Sequence, residues 1–156
     1  MARGRNRVFR LTLVSILLLL GIPSLGRSAF SLQIREVSSG RVLWEEPVSL
    51  KDRFTLVHRN SIYGAQVRER LEVQPDGSLR LTAIQCKAPA VLEYYGLETS
   101  SSRWIPMDRR FESLVVLVSR NGAYHLEWGG KRFDLAQTLK DGTTVEIRLI
   151  RFRSLN

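Results

Sequence analysis

The stretch VRERLEV-QPDGS-LRLTAIQ, residues 67–85, predicts a β-hairpin. Apolar and charged residues alternate through 67–73, which is the period of a strand with one buried face. The segment 74–78 contains Pro-Asp-Gly-Ser, a combination typical of tight turns. The alternation then resumes over 79–85 in the same phase, so the two runs are expected to pair in an antiparallel fashion.

Similar short runs occur along the rest of the chain and are separated by turn residues. They lie at 30–34, 41–48, 52–58, 113–119, 123–128, 131–135 and 143–152. About eight short strands at this spacing predict an all-β domain, either an antiparallel sandwich or a small barrel. The run 113–119 (SLVVLVS) is nearly all apolar and predicts a strand buried on both faces.

One segment departs from this pattern. Residues 88–106 read APAVLEYYGLETSSSRWIP and predict a turn or two of helix before Gly96, followed by a Ser-rich irregular loop that ends at Pro106. Irregular connections on a rigid scaffold are frequent places for functional sites.

The beginning of the chain has the parts of a secretory signal peptide. MARGRNRVFR is basic, LTLVSILLLLGI is apolar, and PSLGRSA supplies a helix breaker and small residues. The apolar run is shorter than the roughly 20 residues of a transmembrane helix. We expect a cleaved leader over 1–28 and a single mature β domain over 29–156, located in the periplasm or on the outer face of the cytoplasmic membrane. The alternative is an uncleaved anchor, with membrane contact confined to residues 8–22.

The charge of the mature part is modest. The whole chain has 24 basic and 15 acidic residues and a net charge of +9, but residues 1–28 hold five arginines and no acid. Residues 29–156 therefore carry a net charge of +4, which is spread along the chain. This distribution is not typical of nucleic-acid-binding proteins, so no nucleic-acid partner is expected.

Residue types that serve in catalysis and metal binding are scarce. The chain has two histidines and one cysteine, and it contains no HExxH, GxSxG, CxxC or GxGxxG motif. The alternation places His58 partly on the core and predicts an exposed surface position for His125. Cys86 is expected to be buried and inert, and an intermolecular disulfide is the alternative. We therefore expect no cofactor and no metal ion.

Glu69 is in phase with Val67, so its carboxylate is predicted on the apolar side of its strand. A buried carboxylate needs a partner, because removing an unpaired charge from water is costly. The nearest polar candidates in the sequence are Asn60, Ser61 and Tyr63. Either these groups form a hydrogen-bond cluster that fixes the bend near Gly64, or they line a pocket or a partner surface.

A second candidate patch consists of Tyr94, Tyr95 and Trp104. These aromatic residues flank the predicted irregular loop. They either cover one end of the domain or, if they are exposed together, form a binding surface with rigid amphipathic anchors.

The run F-T-L-x-x-x-N-S-I-Y-x-x-x-V-x-E, residues 54–69, resembles the signature of the bacterial domain-of-unknown-function family 1850. Five positions match the signature, namely Ser61, Ile62, Tyr63, Val67 and Glu69. The family usually has an aromatic residue at position 58, a histidine at 60 and a proline at 66, where this chain has His58, Asn60 and Gln66.

Members of that family are small exported proteins, often encoded beside TRAP-type solute transporters of the TAXI class. The resemblance therefore implies a binding or accessory protein of the cell envelope. Its expected partner is the membrane component or the solute-binding component of such a transporter. Because the Asn60 amide neither titrates near neutral pH nor binds metals well, either an activity has been lost or this position serves in hydrogen bonding.

Two other functions remain open. An envelope hydrolase that uses Ser61, Glu69 and His58 would need the Ser61 hydroxyl within hydrogen-bond reach of the His58 ring. Positions three apart on a strand face opposite sides, so a bend would have to bring these two together. The third function is that of a structural envelope protein without a ligand.

Overall fold

A computed structural model describes residues 30–97 and 101–152 of the chain. This part is mostly β-structure, as the alternating runs predict, with two antiparallel sheets and two short helices. The predicted signal peptide, residues 1–28, lies outside the described residues. None of the described helices is long and apolar enough to span a membrane.

Ten strands occur in the described part, and they form two layers. The strands are β1 (Phe30–Glu36), β2 (Val42–Val48), β3 (Arg53–Arg59), β4 (Gln66–Val73), β5 (Leu79–Cys86), β6 (Ser101–Phe111), β7 (Ser113–Leu117), β8 (His125–Trp128), β9 (Lys131–Asp134) and β10 (Thr144–Arg151). Their order is β2-β1-β10-β7 in the four-stranded sheet and β6-β5-β4-β3-β8-β9 in the six-stranded sheet. The helices are α1 (Pro89–Tyr94) and α2 (Leu135–Thr138).

The predicted hairpin of residues 67–85 is confirmed as β4 and β5, with Val73 opposite Leu79. Its turn is stabilised by the Asp76 carboxylate, which accepts a hydrogen bond of 2.9 Å from the Ser78 amide. Gly77 has a φ of +87°, a conformation that glycine adopts without steric cost. The turn residues therefore set the register that keeps one face of both strands apolar.

The core lies between the two sheets and draws on the inner face of each. The four-stranded sheet contributes buried residues such as Leu32 and Ile147, and the six-stranded sheet contributes Phe54, Leu71 and Leu81. Strand β4 shows the expected alternation, because its apolar residues point inward and its arginines point outward. The domain is thus a sandwich rather than a barrel.

A second, smaller apolar cluster lies beneath helix α1. It is formed by Val67, Ile84 and Cys86 of the six-stranded sheet and by Val91 and Leu92 of the helix. The helix covers the end of β4 and β5 that adjoins the β3–β4 loop. Cys86 is buried here, as predicted.

The expectation for residues 113–119 was wrong, because β7 is an edge strand with one exposed face. Val116 is 8 % exposed and faces the core, whereas Val115 and Leu117 are 65 % and 60 % exposed. On its paired side β7 contacts β10. An apolar run cannot distinguish a strand covered on two faces from an edge strand covered on one, because both are rich in Val and Leu.

The prediction that the irregular loop extends to Pro106 was also wrong. Strand β6 begins at Ser101 and includes Pro106, which lies opposite Ala83 of β5. Proline is tolerated there because β6 is the outermost strand of its sheet and proline removes no bond from a second neighbour. The predicted short helix before Gly96 is confirmed as α1.

Candidate functional site

The loop between β3 and β4 is built around the side chain of Asn60. The Asn60 Oδ1 atom accepts hydrogen bonds from the amides of Ile62 and Tyr63, at 3.1 and 3.0 Å. The backbone amide of Asn60 donates to the Ala65 carbonyl at 2.8 Å, and Gly64 has a φ of +61°. Asn60 therefore acts in hydrogen bonding, as asparagine commonly does in turns.

This loop presents two large side chains to solvent. Ile62 is 77 % exposed and Tyr63 is 53 % exposed, and Ser61 beside them is also exposed. We call Ser61, Ile62 and Tyr63 the loop tip. Because Asn60 fixes the backbone below it, the loop tip presents these side chains with little remaining backbone freedom to lose on binding.

Glu69 faces inward, as the alternation predicts, and lies between the two apolar clusters. Its strand neighbours on the same face, Val67 and Leu71, belong to the smaller and the larger cluster respectively. Its partner, however, is not in the β3–β4 loop as expected. The Tyr95 hydroxyl donates a hydrogen bond of 2.9 Å to Glu69 Oε1.

Tyr95 reaches Glu69 because it directly follows helix α1. It caps the C-terminal end of the helix, and its ring packs against both apolar clusters. Burial raises the pKa of Tyr95, so its hydroxyl keeps the proton that it donates. Burial also raises the pKa of Glu69, and the hydrogen bond from Tyr95 opposes that shift. The pair therefore ties α1 to the six-stranded sheet.

His58 lies on the other side of Glu69 and is partly buried, as predicted. Its ring stacks on that of Tyr124, with centroids 5.2 Å apart and an angle of 13° between the planes. Burial lowers the pKa of His58 to about 4, so the ring is neutral at pH 7. The His58 Nε2 atom is 3.8 Å from Glu69 Oε2, too far for a hydrogen bond, and with a neutral ring this contact is not an ion pair.

Replacing Tyr95 with phenylalanine is expected to lower the free energy of unfolding by about 1–3 kcal/mol, because the substitution leaves a buried carboxylate oxygen without its donor. Urea denaturation at pH 7 measures this change. The adjacent Tyr94, which is 87 % exposed, supplies the control. Tyr94→Phe is expected to change stability by less than about 0.5 kcal/mol, and equal effects at both positions would contradict the role of Tyr95 as the partner of Glu69.

The predicted aromatic patch of Tyr94, Tyr95 and Trp104 does not form a joint surface. Tyr95 points inward to Glu69, and Tyr94 projects into solvent from the end of α1. Trp104 lies on the outer face of the six-stranded sheet, beneath the guanidinium of Arg70 at 4.0 Å from the ring centroid. The sheet itself therefore separates Trp104 from Tyr95.

His125 is buried rather than exposed, contrary to the prediction. Only 6 % of it is accessible, and its Nε2 atom is 3.2 Å from Glu127 Oε1. The predicted direction of the side chain was right, because His125 lies on the outer face of the sheet, opposite Val57 of β3. Its strand lies between β3 and β9, however, and its ring nitrogens contact the Ala123 carbonyl and the Glu127 carboxylate.

Two adjoining depressions open beside the loop, at the end of the six-stranded sheet where β3 and β4 meet it. The first, about 450 Å³, is lined by Ala65, Gln66, Arg68, Gln85, Cys86 and Lys87. The second, about 490 Å³, also includes Gln66 and extends past the end of β3 toward β9; the side chains of Arg59 and Arg132 contribute to its wall. Sequence reasoning missed both, because they combine residues from several strands.

The predicted hydrolase depends on a hydrogen bond between Ser61 and His58. The His58 Nδ1 atom is buried without a hydrogen-bond partner, and Ser61 forms no hydrogen bond with His58. Hence the serine–histidine contact that a hydrolase would require is not formed. Within the same described ranges, no group of three His, Cys, Asp or Glu residues is arranged to hold a metal ion.

Comparison of the chain with models of protein families, with curated proteins and with solved structures gives no match.

Proposed function

We propose that this chain is an exported, non-catalytic accessory protein of the cell envelope that binds another protein through its loop tip. The observation that carries the proposal is the exposure of Ile62 and Tyr63 on a turn fixed by Asn60. Tyrosine and large apolar side chains are frequent anchors of protein interfaces, and a pre-ordered turn lowers the entropic cost of using them.

The partner that we propose is a component of a TRAP-type transporter of the TAXI class, either its membrane component or its solute-binding protein. This part of the proposal depends on the resemblance of residues 54–69 to family 1850. Three of the matching positions, Ser61 to Tyr63, form the loop tip. The site of action would be the periplasm or the outer face of the cytoplasmic membrane, reached through the leader over residues 1–28.

The difference at position 60 is compatible with this function. A partner surface needs the loop tip to be held in place, and the Asn60 side chain does so with two hydrogen bonds from backbone amides. A titrating side chain at position 60 is not needed for that role. We therefore propose that Asn60 positions the contact residues.

We expect a tagged form of the full chain to co-purify with a transporter component from its native host. The double substitution Ile62→Ala and Tyr63→Ala is expected to reduce the recovered partner about tenfold or more, because the loss of anchor residues at an interface typically costs that much. Quantitative mass spectrometry of the eluate measures the ratio of partner to bait.

The control is Leu117→Ala, which removes a comparably exposed apolar side chain from β7. It is expected to leave partner recovery unchanged. Recovery of no transporter component with the unaltered chain would contradict the proposed partner. Full recovery with the double variant would contradict the role of the loop tip.

A further inference from the structure

The two sheets have four edge strands, and three of these carry features that oppose pairing with another chain. An edge strand exposes unpaired N–H and C=O groups, and proteins protect such strands with charged residues, prolines or an irregular register. In β2, β6 and β9 the protecting residues are Glu45, Glu46 and Pro47, then Pro106, Asp108 and Arg110, and finally Lys131, Arg132 and Asp134. The pairing of β6 with β5 also contains two register shifts. These three edges are therefore poor templates for a further strand.

The fourth edge strand, β7, has none of these features. Its sequence is SLVVL, without a charged residue or a proline, and its pairing with β10 is in continuous register. Val115 and Leu117 point away from the core and are 65 % and 60 % exposed. In the described part of the chain β7 pairs with β10 alone. An exposed apolar edge strand of this kind is suited to the addition of another strand.

The sequence of β7 makes it complementary to a second copy of itself. A two-fold axis perpendicular to the sheet pairs a strand with its own copy in an antiparallel fashion. An axis at Val115, the middle residue of β7, pairs all five residues and keeps each side chain on its own face. Val115 then lies opposite its copy, and Leu117 lies opposite Ser113. Because β7 is uncharged, no like charges meet directly across this axis.

The neighbouring strand is compatible with the same pairing. The residue of β10 opposite Val115 is Glu146, whose carboxylate is paired with Arg35. Across the two-fold axis the two Glu146 residues would be separated by both β7 strands. Their backbones would thus be three interstrand distances apart, about 14 Å. Repulsion between two paired carboxylates at this distance is weak.

We propose that two copies of this chain associate through β7 and join their four-stranded sheets into one continuous eight-stranded sheet. Backbone hydrogen bonds between the two β7 strands and an apolar strip of Val115 and Leu117 from each copy form the contact. Five residues a side are far fewer than the roughly 20–30 of a standard interface. The dimer is therefore weak, with an expected dissociation constant of about 100 μM. It does not depend on the loop tip, which connects strands of the other sheet.

Sedimentation equilibrium of the purified full-length chain measures the association, in density-matched mild detergent because residues 11–22 are apolar. The average mass is expected to rise from near the monomer toward the dimer between about 10 and 500 μM. Val115→Lys removes an apolar contact and places two like charges opposite each other, so it should weaken association at least about tenfold. The control Val42→Lys adds the same charge to β2, the other edge of this sheet, where Val42 is 46 % exposed. It should leave the mass unchanged.

Disulfide formation tests the register of the pairing. The axis at Val115 places this residue about 4.5–5.5 Å from its copy between Cα atoms, within the range of a disulfide. Val115→Cys is therefore expected to give a covalent dimer with oxidised glutathione. Leu117→Cys is the matched control, because Leu117 is similarly exposed but would lie about 14 Å from its copy. The unaltered chain, in which Cys86 is buried, gives the background.

The proposal fails if the mass remains that of a monomer up to about 500 μM, well above the expected dissociation constant. It also fails if Val115→Lys associates as strongly as the original chain, since another surface would then be in use. Equal covalent dimer from Val115→Cys and Leu117→Cys would show random collision of exposed thiols in place of the paired register.

Discussion

Replacing Leu71 with alanine is expected to lower the free energy of unfolding by about 2–5 kcal/mol. Leu71 is 1 % exposed and lies opposite Phe54 of β3 and Leu81 of β5, both of which are buried. The smaller side chain would leave a cavity that its strand neighbours cannot fill, because their backbones are held by the pairing on both sides. Urea denaturation at pH 7 measures the loss.

The adjacent residue, Arg70, supplies a matched control, because neighbouring side chains of β4 point to opposite faces of the sheet. Arg70 points to the outer face, where its guanidinium lies over Trp104. Arg70→Ala is expected to cost about 0.5–1 kcal/mol, the usual range for a cation–π contact near the surface. If Arg70→Ala were as destabilising as Leu71→Ala, the inward orientation of Leu71 and the outward orientation of Arg70 would be wrong.

The fold was predictable to the extent that side-chain alternation and turn chemistry determine it. The period of two over residues 67–73 placed Glu69 on the inner face, and the turn over residues 74–78 predicted the hairpin. Both features are local, because they depend on residues close together in the sequence. The same reasoning could not identify β7 as an edge strand, because strand order depends on pairings between distant segments.

The candidate site was predictable in part for the same reason. Alternation predicted that Glu69 needs a partner, but the partner, Tyr95, follows 26 residues later and is brought there by α1. Tyr124 was not predicted as the stacking partner of His58, since the two residues are 66 positions apart in the chain.

The loop tip is also supported by Arg59 at the end of β3. The Arg59 Nε atom donates to the Gly64 carbonyl at 2.9 Å, and the Arg59 backbone amide donates to the Gly122 carbonyl at 2.6 Å. The β3–β4 loop is therefore held on both sides of its tip.

Lowering the pH from 7 to 5 is expected to remove about 2 kcal/mol of stability through His58 alone. The pKa of His58 is about 4 in the folded chain, against 6.5 for an unperturbed histidine. Between these values the unfolded chain binds more protons than the folded chain, so the free energy of unfolding falls as the pH is lowered from 6.5 toward 4. Well above pH 6.5 the ring is neutral in both states, and His58 causes no further change.

Glu69 acts in the opposite direction. Burial raises its pKa, so above the ordinary value of 4.5 the folded chain holds a proton that the unfolded chain has lost, and this contribution declines as the pH rises. Carboxylates with lowered pKa values, such as Glu72 and Glu146, affect stability mainly below pH 4.5. Between pH 5 and pH 7 the titration of Glu72 and Glu146 therefore changes stability little, whereas that of Glu69 still contributes.

The variant His58→Phe isolates the histidine from Glu69, because phenylalanine can keep the stacking on Tyr124 and does not titrate. The difference in free energy of unfolding between the original chain and the variant should increase by about 2 kcal/mol from pH 5 to pH 7. Parallel curves would show that the ring of His58 is not desolvated. A direct NMR titration that gave His58 a pKa near 6.5 would lead to the same conclusion, since burial of the ring is the cause of the expected shift.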